Sequence, residues 1–158
     1  MTRMRTNFTV LLLLVVLACT CAACAQQTDV AVVVSPENPV SSMTMPELRK
    51  LFAGEKRSWA NGKAVRIFVR AEGTRERITL LKLLGMSESE YKQYWTAQVF
   101  RGEAQVEPVA LPSNGMQKEA IATFPGGIAL VAAQDVKPGM KVVKVNGRLP
   151  GKPEYPLH

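Results

Sequence analysis

Val69-Arg70-Ala71-Glu72-Gly73-Thr74 ends one secondary-structure element and opens the next. Upstream, Ala64 to Val69 reads as a strand, because β-branched and aromatic residues dominate it. Downstream, Gly73 or Thr74 opens a helix with Ile78, Leu80, Leu81, Leu83 and Leu84 on its apolar side and Gly85 as its stop. The first turn of a helix carries amide N–H groups without intrahelical partners. The helix dipole puts partial positive charge at the same place, so an oxyanion fits there. Arg70, at the strand's end, adds a planar fork of donors. Thr74 either caps the helix or turns its hydroxyl to a ligand. Strand–glycine–threonine–helix junctions are common, so an ordinary capped helix beside a surface arginine stays open as the alternative.

Working outward, Asp29 to Val34 is an unbroken apolar, β-branched run, the pattern of a strand covered on both faces in a parallel or mixed sheet. Ser35 to Pro39 breaks it. Thr44-Met45-Pro46-Glu47 is a capping box with proline in the first turn, and its helix carries Leu48, Leu51 and Phe52 before Gly54. Ser87 to Glu90 is a second box, opening a helix to about Phe100 with Tyr91, Tyr94, Trp95 and Val99 spaced to face a core. Pro108 to Leu111 is a candidate short strand, and Asn114 to Phe124 is amphipathic through Met116, Ala120, Ile121 and Phe124. Pro125-Gly126-Gly127 turns into a strand over 128–131, and Lys141 to Val145 is another. This order predicts a three-layer α/β domain over residues 26–146, with a mixed sheet of four or five strands and four helices. Glycine and proline dominate 147–158, which is expected to be a loosely held tail.

The N-terminus reads as a secretory signal over residues 1–25. Arg3 and Arg5 precede an apolar run from Phe8 to Leu17, and small residues follow. That run is half of the roughly 20 residues that span a bilayer. Cleavage after Ala25 fits the small-x-small pattern of Ala23-Cys24-Ala25. Val16-Leu17-Ala18-Cys19 is the competing lipobox-like reading, with Cys24 a poorer acceptor, so Cys19 and Cys24 are candidate lipidation sites. The expected location is the periplasm, free or membrane-anchored. All three cysteines lie in this segment, so neither a disulfide nor a metal cluster is expected from them.

Four stretches in the same order resemble the periplasmic phosphate-binding proteins of phosphate ABC transporters. Residues 69–74 are similar to that family's Arg-Ala-Asp-Gly-Ser-Gly-Thr loop. Ser113 to Ala122 resembles its Gly-Asn-Asp-Gly helix start, and Pro125 to Val131 its Pro-Gly-Ala-Ile-Gly-Tyr-Val strand. Ser42 to Gly54 with Trp59 resembles its leucine-phenylalanine-glycine-tryptophan helix region. The resemblance implies a binding-protein-like type II fold, of which this chain is one lobe. It further implies that Arg70 pairs with the anion's charge, Glu72 orients Arg70, and Gly73 and Thr74 donate from amide and hydroxyl. Ser113 and Asn114 belong to the implied site by the same comparison. Where the family continues Gly-Thr, this chain has Arg75-Glu76, so one glycine and one hydroxyl are missing; Arg75 either adds charge or fills the site.

Two readings of function follow. One is an exported solute-binding-like protein holding phosphate or a similar oxyanion weakly, because a single lobe leaves the ligand wet. The other is an accessory module that kept the lobe, lost the ligand, and meets an inner-membrane transporter, a sensor or a second copy. The chain's net charge of +7 draws anions, yet no basic run reaches five residues, so nucleic acid is not the expected partner. His158 is the only histidine and sits at the end of the chain, which removes a Ser/His/Asp triad. No acid pair is spaced for general acid–base work, no cofactor motif is found, and the chain is not read as an enzyme.

Overall fold

Val30–Val34 forms strand β1, and each of its five residues is buried. It belongs to the computed structural model of the chain, which describes residues 29–158. The expected signal segment, with the candidate lipidation sites Cys19 and Cys24, lies outside the described residues. Ser42–Met43 forms β2, and Met45–Phe52 forms helix α1. Arg66–Arg70 is β3, Arg75–Leu84 is α2, and Glu88–Phe100 is α3. Val109–Leu111 is β4, Asn114–Thr123 is α4, and Gly127–Ala132 is β5. A short 3-10 helix at Ala133–Asp135 precedes β6 at Lys141–Val145.

The strands make one mixed sheet in the order β2-β6-β1-β5-β3-β4. β1 runs antiparallel to β5 and β6, whereas β5, β3 and β4 are mutually parallel. Alternation along β1 divides the core. Val30, Val32 and Val34 join Leu48, Phe52, Leu80 and Trp95 on the face covered by α1, α2 and α3. Ala31 and Val33 join Phe68, Ile121 and Val131 on the face covered by α4. This is the three-layer α/β arrangement that the sequence implies.

The helix ends are set by local chemistry. Both capping boxes form: Thr44 and Glu47 bond reciprocally, as do Ser87 and Glu90. The same bonds hold the Glu47 and Glu90 carboxyls below their ordinary range, because each accepts a backbone N–H. Gly85 closes α2 in the left-handed region, at φ 69°. Arg77 and Glu88 then tie the start of α2 to the start of α3 through two hydrogen bonds, which pull the Glu88 carboxyl down. Burial, only partly opposed by the Arg77 charge over its ring, pushes the Tyr91 hydroxyl up to about 12.

Several expectations change. Ile78 and Met116 are exposed rather than inward, and Phe124 and Val99 are partly so. The inward face of α2 begins instead with Glu76 and Thr79, and that of α4 with Gln117. Polar residues occupy those core-facing positions, so an apolar count misplaces both stripes. Two-residue β2 was not foreseen; six strands form where four or five were expected. The tail is not loose: Tyr155 and Leu157 are buried, Val30 N–H donates to the Leu157 carbonyl, and Tyr155 Oη donates to the Val30 carbonyl.

Candidate functional site: the carboxyl edge of the parallel strands

Because β3, β4 and β5 are parallel, their C-terminal residues Arg70, Leu111 and Ala132 arrive at one edge of the sheet. Helices α2 and α4 begin immediately beyond the first two, so both amino-terminal dipole ends point to this edge. Ligands of open α/β sheets bind outside such carboxyl ends.

Three cross-links fix the edge. Arg70 Nη1 donates to the Leu111 carbonyl at 3.0 Å. Glu76 Oε1 accepts the Ala132 N–H at 3.2 Å and lies 4.0 Å from Arg70 Nε. Asn114 Nδ2 donates to Asp135 Oδ2 at 2.8 Å. The buried Glu76 carboxylate therefore takes the steadying role that the resemblance gave to Glu72. Glu72 is exposed and pairs with Lys92 at 2.7 Å, one turn into α3. Its carboxylate is turned to a neighbouring helix and is not bonded to Arg70.

Thr74 is the N-cap of α2. Its hydroxyl accepts the Arg77 N–H and donates its only proton to the Ala71 carbonyl at 2.8 Å. As it stands it has no proton to offer a ligand. The amides of Arg75 and Glu76 are left unclaimed among the described residues, as a helix start leaves them. Gly73 sits at φ 77° with open space where a side chain would project, so its main chain borders solvent. The Arg75 side chain is exposed and enters no ion pair among the described residues.

On α4, Ser113 is the N-cap and its hydroxyl accepts the Met116 N–H at 3.1 Å. Asn114 Oδ1 is buried without a partner, as are Arg70 Nε and both side-chain polar atoms of Gln117. Gln117 is wholly buried, one turn before Ile121 on the sheet-facing side of α4. Buried polar groups are normally bonded. Four of the seven unbonded side-chain atoms among the described residues lie on elements that end or begin at this edge; the other three, Asn38 Nδ2, Tyr91 Oη and Trp95 Nε1, lie elsewhere. Sequence reasoning missed Glu76, Gln117 and Asp135. The available signal for Gln117 was its place four residues before Ile121, where a polar residue interrupts the apolar face of a helix.

Solved structures with this architecture exist. The chain superimposes on an ABC-type phosphate transport receptor from Vibrio cholerae with a TM-score of 0.62, at 18% identity, over 77% of this chain and 48% of the receptor. It matches a putative phosphate ABC transporter substrate-binding protein with bound phosphate from Clostridium perfringens with a TM-score of 0.64, at 18% identity, over 82% and 51%. PstS from Borrelia burgdorferi gives 0.58 at 20% identity, over 77% and 49%. The chain has the phosphate-receptor fold. It spans about half the length of these receptors, as one lobe of a binding protein would. The first two of these neighbours are a transport receptor and a putative transporter substrate-binding protein. No family model matches the sequence. No helix among the described residues is long and apolar enough to cross a membrane.

Proposed function

We propose that the chain is an exported binding protein that holds phosphate or a similar oxyanion at the carboxyl edge of β3–β5. Arg70 supplies the charge and the first-turn amides of α2 and α4 supply neutral donors. The observation that carries this reading is the Arg70 guanidinium: it is anchored by the Leu111 carbonyl, braced by Glu76, and keeps a buried Nε without a hydrogen-bond partner between two helix starts. The Glu76 carboxylate, 4.0 Å from that Nε, is too distant for a hydrogen bond, so the guanidinium charge is only partly met and an anion oxygen would complete it. The likeness in fold to phosphate receptors supports the choice of anion.

A second reading has its own support. The Arg70 side chain is only 13% exposed and the Thr74 hydroxyl is already committed, so the edge offers a ligand less than the sequence implies. A module that presents this edge to an inner-membrane transporter, a sensor or a second copy needs no free ligand.

Thermal unfolding separates the two. A ligand at about a hundred times its Kd adds about 2.7 kcal/mol to stability, which for a domain of this size raises Tm by several degrees. Phosphate is expected to raise Tm beyond sodium chloride of matched ionic strength, and Arg70→Ala is expected to remove the increment while circular dichroism still reports a folded domain. Equal Tm values in phosphate and chloride would favour the module. An increment that survives in Arg70→Ala would move the site elsewhere.

A further inference from the structure

The other end of β3 is a second candidate surface. Arg66 begins the strand that Arg70 ends, so the two are about 13 Å apart. At the Arg66 end lies an open groove of 770 Å³, walled by the 56–66 loop, by residues 102–109 and by the end of α4. Lys56 and Arg57 on its rim are exposed and enter no side-chain bond or ion pair among the described residues. Arg66 lies over the Phe124 ring, 4.4 Å from its centroid. Two acids line the opposite wall: Glu103 pairs with Arg101 and also feels the Arg57 charge, and Glu107 accepts a hydrogen bond from Thr96. Val106, Val109 and Phe124 give the groove an exposed apolar lining, at 64%, 39% and 37%.

Val109 is also the first residue of β4, the outermost strand on this side of the sheet. Its neighbour is β3 alone, and Val109 and Ala110 are both exposed. Natural edges are blunted by short length, proline, lysine, a covering loop or an inward charge; this one carries no charged residue but is only three residues long. Pro108 and Pro112 bracket it and limit any added pairing to the three residues between them.

The geometry points to an extended, acidic polypeptide segment as the occupant of this groove, adding main-chain bonds to β4 and placing apolar side chains against Val106, Val109 and Phe124. The free cations of Lys56 and Arg57 set its charge, and the open strand edge sets its conformation. A second copy of this chain is disfavoured because it would bring the same cations to the contact.

The test uses the full chain and a fluorescein-labelled peptide with Val-Phe-Val at its centre and acidic residues at both ends. Fluorescence polarisation is expected to show saturable binding. The double substitution Lys56→Glu with Arg57→Glu, on exposed side chains, is expected to weaken it about tenfold or more, and N-methylation of alternate peptide amides is expected to abolish it. Inorganic phosphate, against matched chloride, is expected not to compete, since its proposed place is the opposite end of β3. Absence of saturable binding, equal binding of a lysine-ended peptide, or indifference to the double substitution overturns the proposal. Displacement by octanoate together with indifference to N-methylation would assign the groove to small amphipathic anions and also overturn it. Competition by phosphate would place the peptide at the wrong end of the strand.

Discussion

A chain truncated after Glu154 is expected to lose about 5 kcal/mol or more of stability, from two buried side chains at about 1.5–3 kcal/mol each and two hydrogen bonds near 1 kcal/mol each. The truncation removes Tyr155 and Leu157, which are 4% and 2% exposed and belong to the same core as β1 and α1. It also strips the Leu157 carbonyl from the Val30 N–H and the Tyr155 hydroxyl from the Val30 carbonyl. Val30 begins the strand at the centre of the sheet, so the damage falls where neighbours on both sides depend on it. A domain holds only about 5–15 kcal/mol in total, so urea unfolding should show a much lower midpoint or no folded baseline. A midpoint equal to that of the intact chain would mean that the last residues are not packed against β1.

Gly126→Ala is expected to be comparably severe. A Cβ built at Gly126 would lie 1.9 Å from the Ala64 carbonyl oxygen, and that neighbour is main chain, which cannot rotate away. The Gly126 carbonyl meanwhile accepts two bonds, from Arg66 N–H and from Trp59 Nε1, both at 2.9 Å. Relief of the clash therefore separates β5 from β3 or breaks the Trp59 anchor. Overpacking commonly costs about 1–3 kcal/mol and more where backbone must move; the upper end applies here. Thermal unfolding measures it, and Gly62→Ala is the control: that glycine has open space around it, so only the strain of its φ of 80° is felt. Equal losses in the two variants would refute the close-approach argument.

What the sequence disclosed was local. Thr44, Ser87, Thr74 and Ser113 each cap a helix as their side-chain chemistry requires, and the apolar run at 30–34 is buried throughout. The order of strands and helices was therefore legible, and with it the likeness to phosphate receptors. The partners were not. Glu76 reaches Ala132 and Asn114 reaches Asp135 across separate elements, and no short-range pattern marks such pairs. The resemblance implies that Glu72 orients Arg70, yet Glu72 pairs with Lys92 on α3 instead. The glycines and prolines of the tail suggest a loose end, but its apolar residues Tyr155 and Leu157 pin it to the core.

The central claim is that first-turn amides and one guanidinium at the carboxyl edge of β3–β5 accept anionic oxygen. Residue-resolved amide NMR of the full chain during a titration with inorganic phosphate, against chloride of matched ionic strength, tests it directly. Saturable shifts concentrated at Gly73, Arg75, Glu76, Asn114 and Gly115 are the predicted result. Shifts that never saturate, or that gather around Lys56 and Arg57 at the other end of β3, would contradict it.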